Sequence, residues 1–119
     1  MAIKDKLTEE FLQAQKEIEG ILLAMLFKQH YFLKKGLAYF IEYKKGSTVV
    51  EFIFGPSDWD VEMIIYIRNQ KYAFKDLLEI PAIKTWVNDN RYKQENGRNV
   101  NNELLWFVEL LKVSLPIIE

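Results

Sequence analysis

Between Leu37 and Arg68 the chain reads LAYFIEYKKGSTVVEFIFGPSDWDVEMIIYIR, three runs in which apolar residues recur at every second position. That period marks strands with one face turned to a core. Turn formers separate the runs: Lys44-Lys45-Gly46-Ser47, where Gly46 can take a positive φ, and Gly55-Pro56-Ser57-Asp58. The pattern predicts an antiparallel three-stranded meander on which the rest of the chain packs.

Register follows from the same alternation. A two-residue loop at Lys45-Gly46, or a four-residue loop from Lys44 to Ser47, sets Leu37 opposite Phe54, Tyr39 opposite Phe52, Ile41 opposite Val50 and Tyr43 opposite Thr48. A three-residue loop sets Tyr39 opposite Glu51 and turns every side chain over. Only the first parity makes one face uniformly apolar, and Val61, Met63, Ile65 and Ile67 join that face from the third strand. The other face carries Ala38, Phe40, Val49, Ile53, Ile64 and Tyr66, with Glu42, Glu51 and Glu62 among them. That is more apolar than solvent requires, so either another element covers it or it binds something. In this register Glu42 and Glu51 are diagonal neighbours about 7–8 Å apart, a spacing that favours a nearby cation.

Upstream, Leu7, Phe11, Ala14, Ile18, Leu22 and Met25 form one stripe of a helix from about Asp5 to about Lys28, with Asp5 as N-cap. Beyond Ile21 the pattern is apolar all round, which predicts deep burial of the helix end. The segment KQHYFLKKG from Lys28 to Gly36 fits a helix end or a short edge strand. Downstream, Asn69-Gln70-Lys71 is expected to turn and Tyr72-Ala73-Phe74 to form a short strand. Pro81 starts a helix with Ile83, Trp86 and Val87 inward, ending near Asn88-Asp89-Asn90. A polar loop follows from Arg91 to Asn102. The last helix is expected from about Asn102 to Leu115, capped by Asn99 or Asn101, closed by Pro116 and followed by a tucked apolar tail. A helix, then strands, then helices predicts an α+β fold: a long N-terminal helix, an antiparallel sheet of at least three strands, and two C-terminal helices packed on it. Residues 1–119 are expected to form a single domain.

Composition narrows the chemistry. The net charge of −1 provides no basic field for nucleic acid or membrane, which makes nucleic acid an unfavoured partner. The absence of cysteine excludes disulfides, thiolate nucleophiles and cysteine-based zinc sites, and fits a reducing cytoplasm. The N-terminal MAIKDKLTEE is too charged for a signal peptide, and the apolar run Ile21 to Phe27 is too short to span a bilayer. Abundant Lys, Ile, Asn, Phe and Tyr suit an AT-rich, bacterial genome.

Candidate chemistry is sparse. His30 is the single histidine, and its cationic neighbours Lys28, Lys34 and Lys35 favour an edge or helix-end position over a metal ligand. No G-x-S-x-G elbow and no glycine-rich phosphate loop is present. The acidic run Asp58-Trp59-Asp60-Val61-Glu62 offers oxygen ligands or an acid/base pair, but it reads more simply as a turn followed by strand-edge charges. No cofactor or metal is expected. Trp86 and Trp106 sit among apolar neighbours and are assigned to the core, whereas Trp59 lies in a turn and is expected to be exposed. The loop cations Arg91, Lys93 and Arg98, with Tyr92, form a weak nucleic-acid candidate diluted by Glu95.

The favoured reading is a small non-enzymatic protein-binding module of the immunity or inhibitor type. It would cap a basic partner through Phe40, Glu42, Glu51, Glu62, Tyr66 and Trp59. The alternatives are a metal-dependent hydrolase using Asp58, Asp60 and Glu62, and nucleic-acid binding by the Arg91–Arg98 loop. In size and composition the chain is similar to small bacterial immunity proteins that neutralise toxins; no motif ties it to them.

Overall fold

A computed structural model describes residues 3–35, 38–54, 61–91 and 100–119. The elements run α1 (Ile3–Ala24), β1 (Lys28–Lys35), β2 (Ala38–Lys45), β3 (Thr48–Phe54), β4 (Val61–Ile67), β5 (Gln70–Tyr72), α2 (Phe74–Leu77), α3 (Pro81–Asp89) and α4 (Val100–Ile118). The fold is α+β. The five strands form one antiparallel sheet in the order β1-β2-β3-β4-β5, so the expected meander gains a strand at each edge.

The expected parity holds, and the register within it is two residues away. Tyr39 pairs with Phe54, Ile41 with Phe52, and Tyr43 with Val50. The expected pairs Tyr39–Phe52, Ile41–Val50 and Tyr43–Thr48 do not form, and Leu37 lies outside the described residues. The turn is the cause: the loop is Gly46-Ser47 between the paired residues Lys45 and Thr48, with Gly46 at φ +58 in the first loop position. A type II′ hairpin takes glycine there. A slip of two residues leaves every side chain on its own face.

The core lies between one sheet face and the helices. Tyr43, Phe52, Phe54 and Ile65 from the sheet, Phe11, Ile18 and Leu22 from α1, and Leu104 and Val108 from α4 are fully buried. The Phe11 ring stacks on Phe54 at 4.8 Å between centroids. Gln15 Nε2 donates to the Tyr43 hydroxyl at 2.9 Å, so this buried phenol oxygen is satisfied. Neither tryptophan assigned to the core is fully buried. Trp86 and Trp106 pack against each other at 5.8 Å on its margin, and Trp106 Nε1 donates to the Asn90 carbonyl.

Several boundaries differ from expectation. Helix α1 starts ahead of Asp5 and ends at Ala24, four residues before Lys28, in a Schellman motif. Phe27 N–H bonds Leu22 O at 2.9 Å, and Leu26 N–H bonds Leu23 O at 2.9 Å. Leu26 takes the left-handed position at φ 72 that glycine usually fills, and Phe27 and Leu22 are both buried beside it. The end of α1 is buried on one side only, with Leu23 and Leu26 in solvent. KQHYFLKK is the edge strand β1. The next turn is Arg68-Asn69, both at positive φ as a type I′ turn requires, so Gln70 and Lys71 are already strand. Helix α4 begins at Val100, which places Asn101 inside it. It also passes through Pro116 to Ile118, because a proline in the last turn removes only one donor. Glu119 N–H still reaches Leu115 O at 2.9 Å, and in the tail Ile118 packs on the core while Ile117 is exposed.

Candidate functional site

The second sheet face is where charge and aromatic groups meet. On this face Phe40, Val49, Ile53, Ile64 and Tyr66 are partly exposed and Ala38 is buried, and none of them belongs to the core shared by the sheet and the helices. Helices α1 and α4 bury the opposite face, so the expected alternative of a C-terminal helix covering this one does not arise among the described residues.

Register sets the layout as rows across the strands. The central row is Tyr31, Glu42, Glu51 and Ile64. On one side lies Leu33, Phe40, Ile53 and Glu62; on the other lies Lys28, Lys44, Val49, Tyr66 and Lys71. Glu42 and Glu51 are therefore directly opposite each other, not diagonal as expected, which follows from the two-residue change in register. Like charges placed so repel, and the sheet loses stability unless donors intervene.

Strand β1 supplies those donors. A bulge at His30 shifts the β1–β2 register between Gln29 and Tyr31 and swings the imidazole onto this face. His30 Nδ1 lies 2.8 Å from Glu42 Oε1, and the Tyr31 hydroxyl donates to Glu51 Oε2 at 3.0 Å. The Tyr31 hydroxyl also sits close enough to Glu42 for that carboxylate to raise its pKa, so Tyr31 spans both glutamates. The Glu42 side chain is only 17% exposed, so its charge is partly withdrawn from water.

The phenols report the local negative potential. Partial burial raises the Tyr31 pKa, and the hydrogen bond and charge of Glu51 push it further, up to about 12. Tyr66 is raised by burial first and then by the charges of Glu51 and Glu42. Both phenols therefore hold their protons beside the glutamates, and Tyr31 donates its own to Glu51.

The structure brings Phe40, Glu42, Glu51 and Tyr66 together on one surface, with Glu62 at its corner as a diagonal neighbour of Glu51. Trp59, Asp58 and Asp60 lie outside the described residues, as do residues 92–98 of the Arg91–Arg98 loop and the candidate cap Asn99. Among the described residues no group of three or more His, Asp or Glu is placed to hold a metal ion. No helix among them is long and apolar enough to cross a membrane. Sequence reasoning missed Tyr31 and the His30–Glu42 contact. Their one signal, an edge strand next to Glu42, is broken by the bulge that shifts alternation by a residue.

No protein-family model matches the chain, and no curated protein or solved structure matches it either.

Proposed function

We propose that the protein is a small non-enzymatic binding module that captures a basic protein on the second sheet face. An arginine of the partner is seated over Glu42 and Glu51. The observation that carries this is the pair of directly opposed, half-withdrawn carboxylates, whose four oxygens face two side chains of β1, His30 and Tyr31. A guanidinium presents a planar fork of donors that can bridge two such oxygens, and it neutralises their repulsion. Phe40, Ile53 and Tyr66 border the pair in the adjoining rows and supply the apolar and aromatic contact that interface centres use. Lys28, Lys44 and Lys71 lie along one side of the face, so the partner is basic where it meets the centre and neutral or acidic at that rim. Such a module suits an immunity or inhibitor role in a reducing, cytoplasmic compartment.

The test is affinity capture from the source cell with the wild type and with a Glu42→Lys plus Glu51→Lys variant shown to fold by circular dichroism. The captured protein is then purified and its affinity for each form measured. A basic partner bound at least about tenfold more weakly by the variant supports the reading. Equal affinity for a folded variant rejects it.

A further inference from the structure

A second surface lies at the far edge of the sheet. Strand β5 pairs only with Ile65–Ile67, so over Val61–Ile64 the outer edge of β4 has no strand partner among the described residues. In a two-residue hairpin the residues flanking the turn, here Ile67 and Gln70, form a hydrogen-bonded pair, and alternate residues of the strand repeat that orientation. Counting back by twos from Ile67 reaches Ile65, then Met63 and Val61. Their N–H and C=O groups therefore point outward where β5 has ended.

Beside this edge the described residues enclose a cleft of about 790 Å³. Phe74, Trp106 and Phe107 form its apolar wall; the Trp106 and Phe107 rings meet edge-on at 5.2 Å, and Phe74 meets Phe107 at 6.3 Å. Lys71, Lys75, Lys84 and Arg91 also line it, and all four are exposed. None of their side chains has a hydrogen bond or ion pair with another described residue. Among the described residues only two carboxylates, Glu62 and the buried Glu103, line the same cleft. The described lining of the cleft is thus net positive in a protein whose net charge is −1.

We infer that this cleft binds an acidic peptide segment in extended form, added as a strand along Val61–Ile64. An open strand edge offers main-chain donors and acceptors at the spacing of another strand, which selects a polypeptide over a nucleotide or a small anion. Side chains of an added strand alternate in direction. Apolar residues would pack toward Phe74 and Trp106, and carboxylates would alternate toward the lysines. This surface adjoins the Glu42–Glu51 face, sharing Glu62, Ile64 and Lys71 with it, and takes a ligand of opposite charge.

The probe is a short fluorescein-labelled peptide alternating glutamate and valine, followed by anisotropy and by amide NMR of the full chain. Saturable binding is expected, with amide shifts at Val61–Ile64. Binding should weaken at least about tenfold in the Lys75→Glu plus Lys84→Glu variant, and equally when proline replaces the central valine of the peptide and removes a main-chain donor. Four outcomes overturn the inference: no binding at about 1 mM peptide, binding indifferent to these changes, equal binding of a lysine–valine peptide, or binding of an oligothymidine in place of the peptide.

Discussion

At the scale of single residues, two positions carry unusual conformational or electrostatic loads. Leu26 closes the Schellman motif at φ 72, a left-handed conformation that costs a side-chain-bearing residue about 1–2 kcal/mol. It is 73% exposed, so little packing would be lost on removing its side chain. Leu26→Gly should therefore stabilise the protein by about 0.5–1 kcal/mol in urea melts, part of the relief being offset by the freer unfolded chain. A loss of stability would show that Leu26 makes contacts that outweigh its strain. Tyr43 carries the electrostatic load. Burial drives its pKa upward and the charge of Glu19 adds to this; the Gln15 amide donating to the phenol oxygen works in the opposite direction, and the result is about 12. The folded state then holds the phenol proton more tightly than the unfolded chain, whose pKa is about 10. This contribution is complete below about pH 10 and is lost as pH rises through about 12. Stability should fall in that window, and Tyr43→Phe should flatten the fall. The same variant should lose about 1–3 kcal/mol at neutral pH, because the Gln15 amide is left unpaired in a buried site.

At the scale of elements, the buried sheet face is the main structural commitment. Phe52 is fully buried at its centre, opposite Ile41 and Met63, and Phe52→Ala should cost about 3–5 kcal/mol of unfolding free energy. A loss below about 1 kcal/mol would put Phe52 outside the core. In α4, Ser114 is fully buried and its hydroxyl has no partner among the described residues, so Ser114→Ala should stabilise by about 1 kcal/mol, measured the same way. How far the elements were legible follows from the physics of each signal. Alternation between Leu37 and Arg68 identifies the two faces, because a slip of one residue exposes Ile41 and Phe52. It cannot see a slip of two, which keeps both faces intact, so the pairing partners rest on where Gly46 sits in the turn. The end of α1 was hidden because leucine, not glycine, occupies the left-handed position. Strand β1 was ambiguous because the His30 bulge interrupts its period. Pro116 reads as a stop, yet the ladder continues for one turn with Ile118 on the core.

At the scale of the whole molecule, the arrangement places the core on one side of the sheet and leaves the other side to its partly exposed Phe40, Val49, Ile53, Ile64 and Tyr66. Parity alone made Phe40, Glu42, Glu51, Glu62 and Tyr66 legible as one surface. Tyr31 and His30 were not, because they reach it from an edge strand whose register no local pattern reveals. The cleft beside β4 was also invisible, since it joins residues from α2, α3 and α4 that are distant in sequence. A molecule of net charge −1 that sets an acidic face beside a basic cleft should bind through local fields. Association with a basic partner should then slow as salt rises past about 0.15 M, while dissociation changes little. The most direct test of the open-face claim uses methyl NMR of the protein with its purified partner. Val49, Ile53 and Ile64 lie on the second face, and Ile41, Val50 and Ile65 lie on the buried one. The expected result is that methyl signals of the first three shift or broaden on binding and those of the last three stay. Shifts confined to the buried set, or to the helices, with Val49, Ile53 and Ile64 unchanged, would contradict it.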